Sequence, residues 1–248
     1  MGRDRILRRG LALAALASSL VRAQSPAAAP ITAELTAEQR RAIDAGEQLF
    51  VTREVKGASW PRALVYRFVD ATPEEAAAVF TDYERHAAYI PDLKKSVVSR
   101  AVDPATFEID YTLEVPVFSD EDYTVRDRLR QYAVAAEPPA VTPAAAYRVD
   151  WSLVRASSTR STVGSVRFEP YRNARTGRVG TLMAYDNFVV PGSSMAGVGF
   201  VRRQAMKQVQ ATAQAVAQEV ERLRRAQPDA ALRNVVRLRA ALRAAPDP

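Results

Sequence analysis

The stretch ATPEEAAAVFTDYERHAAYIPDLKKSVV, residues 71–98, changes from a helical to an extended pattern within one segment. Thr72 is suited to cap a helix whose first position is Pro73 and whose first turn carries two glutamates, which together favour a helix start. A second short helix is expected to end at Pro91, because proline cannot continue a helix. After Pro91 the apolar residues recur at every second position, which predicts a strand.

Apolar and polar residues alternate in each of the segments that follow. Phe107, Ile109 and Tyr111, for example, are separated by Glu108 and Asp110. Such alternation is typical of antiparallel strands with one buried and one solvated face. The predicted strands span 93–102, 106–117, 121–134, 146–156, 161–171 and 180–190. With the strand-forming region that precedes residue 71, they predict an antiparallel sheet of about six to seven strands.

The pattern becomes helical again after Pro191. Apolar residues recur every three or four positions from Val198 to Leu223, which predicts one long amphipathic helix that ends before Pro228. This helix is the only long amphipathic element available to cover the apolar face of the sheet. The fold class is therefore α+β, with two short helices after the first strand region. A cavity suited to an apolar ligand is expected wherever sheet and helix separate.

Two stretches resemble the START-like superfamily (SRPBCC, which includes polyketide cyclase/dehydrase and lipid-transport proteins). Residues 71–98 resemble its opening helices, and residues 182–210 resemble its last strand, proline and C-terminal helix. The matching residues are Thr72, Pro73, Glu74, Asp82, Tyr83 and Pro91. The resemblance extends over residues 60–224 and implies the helix-grip fold. Members of this superfamily bind coenzyme Q, sterols, phospholipids or polyketides, so the resemblance does not select one of these ligands. It also identifies no catalytic residue in this chain.

The N-terminus has the layout of a secretory signal peptide in residues 1–23: several arginines, a short apolar run and a small residue at Ala23. The apolar run is too short to be a transmembrane helix. The alternative to a signal peptide is an ordinary buried N-terminal helix. Cleavage after Ala23 lowers 35 basic side chains to 30 and 28 acidic ones to 27, so the net charge falls from +7 to +3. Nucleic-acid binding then loses its support, and a periplasmic or secreted protein is predicted. Sec and twin-arginine export both stay open.

The predicted organisation has four parts. The signal peptide, residues 1–23, is followed by a flexible lead-in and short helix over 24–47. Residues 48–227 form the START-like domain, and residues 228–248 form a basic amphipathic tail. The tail is interpreted either as a solvated cap helix or as a contact for a membrane surface or partner.

The composition excludes several kinds of chemistry. The chain has no cysteine and one histidine, so disulfides, thiolate metal sites and cysteine nucleophiles are excluded. No metal site and no cofactor are expected, and no nucleophile–base pair can be assigned.

Asp127 and His86 are the two candidates for catalysis. The alternation of its strand points Asp127 inward, where a buried carboxylate needs a partner such as Arg167. In a functional role, Asp127 would anchor a polar group of the ligand or act as an acid/base. In a structural role, it would belong to a buried ion pair, or a β-bulge would turn its side chain outward. His86 is either a general base at the cavity mouth or a surface or capping residue.

The expected cavity wall is aromatic, with polarizable methionines. The predicted ligand-binding residues are Tyr111, Tyr123, Asp127, Trp151, Phe168, Met183, Tyr185, Met195 and Phe200. The function predicted from these features is binding or carriage of a hydrophobic small molecule: a lipid, an isoprenoid quinone or an aromatic compound. The alternatives are a cyclase- or hydrolase-like enzyme that uses Asp127 or His86, and a cell-envelope interaction protein without a ligand.

Overall fold

The computed structural model describes residues 29–115, 119–134, 144–192 and 199–245. The strands are β1 (Leu49–Arg53), β2 (Arg62–Val69), β3 (Leu93–Asp103), β4 (Thr106–Leu113), β5 (Glu121–Val134), β6 (Ala144–Ala156), β7 (Ser161–Arg172) and β8 (Val179–Val190). The helices are α1 (Ala37–Asp44), α2 (Pro73–Phe80), α3 (Gly199–Ala226) and α4 (Pro228–Ala244), with 3₁₀ helices at Ile31–Glu34 and Tyr83–Ala88. The predicted signal peptide, residues 1–23, lies outside the described residues.

The strands form a single antiparallel sheet in the order β1-β2-β8-β7-β6-β5-β4-β3. Eight strands are present where about six to seven were predicted, because the region before residue 71 contains two strands. The chain turns between them at Gly57, whose φ of 79° favours glycine. Phe50 then lies opposite Val65 in the β1–β2 pair. The α+β class and the START-like arrangement of sheet and long C-terminal helix are confirmed.

The start of α2 follows the predicted capping chemistry. The Thr72 hydroxyl accepts a hydrogen bond from the Glu75 backbone N–H, and the Glu75 carboxylate accepts one from the Thr72 backbone N–H. Pro73 occupies the first turn, where its missing N–H leaves no helical bond unmade. Every apolar side chain from Ala76 to Phe80 is buried, so α2 is anchored in the core.

The main core forms where α3 crosses one face of the sheet, which we call the inner face. Ala213, Val216 and Val220 of α3 pack in one cluster with Val65 of β2 and Phe168 of β7. These residues are buried almost completely. The C-terminal half of α3 is therefore held directly against the sheet.

The outer face of β2 and β8 is covered by the chain that precedes β1. Ile31 and Ile43 are fully buried there, although residues 24–35 were predicted to be a flexible lead-in. The buried carboxylate of Glu169 on β7 explains the difference. It accepts hydrogen bonds of 2.6 Å from the Ile31 backbone N–H and 2.6 Å from the Tyr132 hydroxyl.

The basic tail forms α4, which packs against α2. Val235 and Leu238 are buried in the main core cluster, and Arg239 donates to the Glu74 carboxylate at 2.7 and 2.6 Å. Leu232 and Val236 of α4 are exposed. The contact of this helix with a membrane or a partner stays a prediction. Within the described residues, no helix combines the length and apolar character needed to span a membrane.

Candidate functional site

A cavity of about 230 Å³ lies between the inner face of the sheet and the N-terminal half of α3. Residues of α3 from Val201 to Thr212 line it, whereas from Ala213 onward the helix is packed into the core. The sheet contributes wall residues from β4 to β8, and the 3₁₀ helix and turn before β3 close one end. The cavity thus occupies the space where α3 and the sheet separate.

Both tryptophans of the chain, Trp60 and Trp151, line the cavity. The Trp151 indole lies against Gly164, where a Cβ atom would stand 2.3 Å from the ring. Its Nε1 donates to Asn187 Oδ1 at 3.3 Å, and its ring centroid is 5.1 Å from that of Tyr185. Because Gly164 has no side chain, the indole can lie flat and form part of the wall.

Asp127 points into the cavity from β5, in the direction that the alternation predicts. The register of β5 shifts between Thr124 and Val125, but this irregularity does not turn Asp127 outward. Asp127 is 2% exposed, and its Oδ1 has no hydrogen-bond partner among the residues that the structure describes. Burial, and secondarily the charge of Asp150, raises the pKa of Asp127 well above its usual range. The neutral acid is favoured, and it offers the cavity both an O–H donor and an acceptor.

A second buried carboxylate on the wall, that of Glu121, differs from Asp127 because several hydrogen-bond donors surround it. It accepts hydrogen bonds from the Ser157 hydroxyl at 2.9 Å, from the backbone N–H groups of Ser158 and Thr159 at 3.1 and 2.8 Å, and from the Ser158 hydroxyl. Burial alone would raise the pKa of Glu121, but these donors outweigh it and lower the pKa. Asp127 lacks any such set of donors in the described part of the chain.

Arg167, the predicted partner of Asp127, is not near it. In β7, Val166 and Phe168 belong to the core on the inner face, so Arg167 between them points outward. There it contacts the Glu34 carboxylate at 2.5 Å. The predicted ion pair is therefore wrong.

His86 is buried, not a surface or capping residue as one interpretation held. Its Nε2 lies 2.8 Å from the Phe80 carbonyl oxygen and its Nδ1 lies 2.9 Å from the Tyr111 hydroxyl. Burial lowers the pKa of His86 to about 4, so the ring is neutral near pH 7. Since a carbonyl can only accept, Nε2 carries the proton and Nδ1 accepts from Tyr111. Both nitrogens are engaged, so His86 offers the cavity no free ring nitrogen.

Three tyrosines complete the polar part of the wall: Tyr111, Tyr123 and Tyr185. Burial is the largest cause that raises the pKa of each phenol. They stay neutral hydroxyls across the physiological range. Their rings also contact one another, with 5.3 Å between the centroids of Tyr111 and Tyr123.

Three predicted wall residues lie elsewhere. Phe168 and Met183 are fully buried in the core beneath the C-terminal half of α3, so they do not line the cavity. Phe200 is 43% exposed at the start of α3. Met195 lies outside the described residues. The alternation predicts correctly that Phe168 and Met183 face inward, but it cannot show where α3 presses on the sheet.

Several wall residues were not predicted. Trp60 lies just before β2 in a run that has no strand pattern, and Thr162 and Asn187 are polar residues at inward positions of β7 and β8. The two-residue period of those strands was the available signal for Thr162 and Asn187. In the described ranges, no group of three or more metal-ligating side chains could hold a metal ion.

Solved structures with this arrangement of strands and helices include one protein described as a lipid transfer protein. The STAR-related lipid transfer protein (fragment 25–204) from Xanthomonas axonopodis is 14% identical, with a TM-score of 0.56 over 70% of this chain and 93% of that chain. A protein from Thermus thermophilus is 12% identical, with a TM-score of 0.50 over 64% of this chain and 97% of that chain. These likenesses show the fold alone, which is START-like as residues 71–98 and 182–210 predict. No family model and no curated protein sequence matches the chain.

Proposed function

We propose that the chain binds and carries a hydrophobic small molecule, such as a lipid, an isoprenoid quinone or an aromatic compound, in the cavity between the sheet and α3. The observation that carries the proposal is this cavity of about 230 Å³, walled by aromatic and aliphatic side chains. Each 100 Å² of apolar ligand surface removed from water contributes roughly 2.5 kcal/mol to binding. Buried polar atoms without partners, such as Asp127 Oδ1, would fix the orientation of the ligand.

The comparisons support the proposal at the level of the fold. One protein that shares the fold, from Xanthomonas axonopodis, is described as a STAR-related lipid transfer protein. The cavity of the present chain lies in a helix-grip fold of the same kind, so burial of an apolar molecule under α3 is a role that the architecture suits.

The side chains of the wall favour carriage over catalysis. Both ring nitrogens of His86 are engaged by Phe80 and Tyr111, so His86 does not act as a base. Asp127 has no basic partner within the described residues. It is suited to hold a ligand oxygen. The carrier proposal therefore expects the ligand to be recovered chemically unchanged.

Ligand occupancy is testable by native mass spectrometry on protein that has been purified without detergent. We expect an adduct of lipid-like mass that organic extraction removes. Ala205 of α3 lines the cavity, and Ala205→Phe should fill it and reduce the adduct at least tenfold. Gln214→Phe, at an exposed position of the same helix, is the matched control and should keep the adduct.

Two results would contradict the carrier proposal. One is the repeated absence of any adduct, together with no binding of apolar probes to the extracted protein. The other is equal binding by Ala205→Phe and Gln214→Phe, which would place the ligand outside the cavity. A bound molecule that the protein converts into a product would support the enzyme alternative.

We also propose that the protein is exported and works in the periplasm or outside the cell. The support is the arginine-rich start and apolar run of residues 1–23. A cut after Ala23 would leave Ile31, the first residue of the outer-face cluster, in the mature chain. N-terminal sequencing of the expressed protein should begin at Gln24, and a retained Met1 would contradict export.

A further inference from the structure

The cavity wall has no basic side chain in the part of the chain that the structure describes. Its ionisable carboxyl groups are Asp92, Glu114, Glu121 and Asp127. Lys94 is held outside by Asp120 at 3.1 Å and by Glu114 at 3.5 Å. His86, the one imidazole, is neutral near pH 7.

This charge distribution disfavours an anionic ligand. An ionised carboxylate or phosphate in the cavity would lose its hydration without gaining a cationic partner, and such burial is strongly unfavourable. Asp92 is exposed at the rim of the cavity and places a further carboxylate at the entrance.

Two residues of the wall each carry a buried polar atom that lacks a hydrogen-bond partner among the described residues. One is Nε1 of Trp60, which can only donate, and the other is Oδ1 of Asp127. Trp60 is 4% exposed and Asp127 is 2% exposed, so water does not satisfy these atoms at the protein surface. A buried polar atom of this kind normally has a partner, and a ligand oxygen is a suitable one.

From this arrangement we infer that the ligand is uncharged and carries a hydroxyl or carbonyl oxygen, which bonds to Asp127 or Trp60, while carboxylates, phosphates and sulfates are excluded. The inference rests on the proposed function, because it specifies the ligand class of the same cavity. An oxygen atom suits both positions: it accepts from the Trp60 indole, and a hydroxyl both accepts from and donates to the neutral carboxyl of Asp127.

The test compares three probes with one hydrocarbon chain: farnesol, farnesoic acid and farnesene. Both tryptophans line the cavity, so quenching of intrinsic fluorescence reports binding directly. At pH 7.5 we expect farnesol to bind about 100-fold or more tightly than farnesoic acid. A carboxylic acid with a pKa of about 4.5 is neutral in roughly one molecule in a thousand at this pH. The affinity for farnesoic acid should therefore rise about tenfold for each unit that the pH is lowered toward 5.

The hydrogen bond to Asp127 is tested by Asp127→Ala. This change should weaken farnesol binding roughly tenfold, as expected for the loss of one buried hydrogen bond, and should leave farnesene binding within about twofold. Val154→Ala, at an exposed position of β6, is the control and should affect neither probe. Circular dichroism and the unfolding midpoint verify that each variant is folded.

The two levels of the proposal fail in different ways. If none of the three probes binds, the proposed function fails. If farnesoic acid binds at pH 7.5 as tightly as farnesol, the cavity binds apolar ligands but the uncharged class is wrong. Equal loss of farnesol and farnesene binding in Asp127→Ala would show that Asp127 shapes the cavity without bonding to a ligand oxygen.

Discussion

The two buried carboxylates of the cavity wall should respond oppositely to neutralisation. Asp127→Asn and Glu121→Gln each replace a carboxylate by an amide of nearly the same shape. Asp127 has no hydrogen-bond donor in the described structure, whereas Glu121 is surrounded by donors from Ser157, Ser158 and Thr159. We therefore expect Asp127→Asn to stabilise the fold at pH 8 and Glu121→Gln to destabilise it.

The size of each effect follows from the state of the buried group. An unpartnered buried charge typically costs about 3 kcal/mol or more, so Asp127→Asn should gain roughly 3 kcal/mol in free energy of unfolding at pH 8. For a domain of this size that corresponds to a rise in Tm of roughly 6 °C or more. Glu121→Gln replaces an acceptor by a donor that faces serine hydroxyls, and it should lose about 1–3 kcal/mol.

The dependence on pH gives each variant its own sign. The folded-state pKa of Asp127 is raised, so the wild type has its full stability below the unfolded pKa of about 4 and loses it as the pH rises. The gain from Asp127→Asn should therefore vanish near pH 4. The folded-state pKa of Glu121 is lowered, so that contribution is present above about 4.5 and is lost on acidification. The loss from Glu121→Gln should also vanish at low pH.

The assay is equilibrium urea unfolding of wild type and both variants at intervals between pH 4 and pH 8, on protein extracted free of ligand. A lower stability of Asp127→Asn than of wild type at pH 8 would show that the buried Asp127 carboxyl does not destabilise the fold. A difference in stability that does not change with pH would show that the pKa of Asp127 is not raised. Equal signs for the two variants at pH 8 would show that the donors around Glu121 do not distinguish it from Asp127.

Three further perturbations test the packing around the cavity. His86→Gln should be less stable than wild type at pH 7. Because His86 is neutral in the folded state, with a pKa of about 4, the difference in free energy of unfolding should narrow by up to about 3 kcal/mol as the pH falls from 6.5 to 4. Urea unfolding measures this difference. Gly164→Ala would place a Cβ 2.3 Å from the Trp151 ring, so it should lower the free energy of unfolding by about 2 kcal/mol or more. It should also shift the tryptophan emission spectrum. An unchanged spectrum would contradict the packing of Trp151 on Gly164. Leu238→Ala should lower the free energy of unfolding by about 2–4 kcal/mol, because Leu238 is buried in the core. Arg239→Ala, which removes the exposed ion pair with Glu74, should lower it by less than about 1 kcal/mol. Similar shifts in Tm for the two variants would contradict the buried position of Leu238.

The sheet and the long helix could be predicted because each obeys one period over many residues. The last six strands were predicted within a few residues, since alternation over ten or more positions is hard to mistake. The strand count was too low because residues 48–70 were treated as one strand-forming region, whereas the chain turns at Gly57 and forms two strands, of which β1 is only five residues long. Ile31 was misjudged because its burial depends on Glu169, which lies 138 residues away.

The site was predicted less completely than the fold. The direction of Asp127 followed from the two-residue period of β5, but its partner did not, because pairing depends on which face each residue of another strand presents. The same period in β7 would have placed Arg167 on the outer face between Val166 and Phe168. The depth of each inward residue, which separates Phe168 from the cavity wall, depends on how closely α3 approaches the sheet. Nothing local to the sequence of a strand encodes that distance.

The contrast between Glu121 and Asp127 also bears on why the cavity would hold a ligand oxygen. At Glu121 the local chain supplies several donors, so the fold is able to stabilise a buried carboxylate on this wall. At Asp127 it supplies none within the described residues, and the neutral form that burial favours retains an O–H donor with no protein acceptor identified. A ligand hydroxyl or carbonyl would complete this bond. Ligand binding and the protonation of Asp127 are therefore expected to be coupled: a ligand carbonyl, which can accept a hydrogen bond only from the neutral acid, should raise the pKa of Asp127 further.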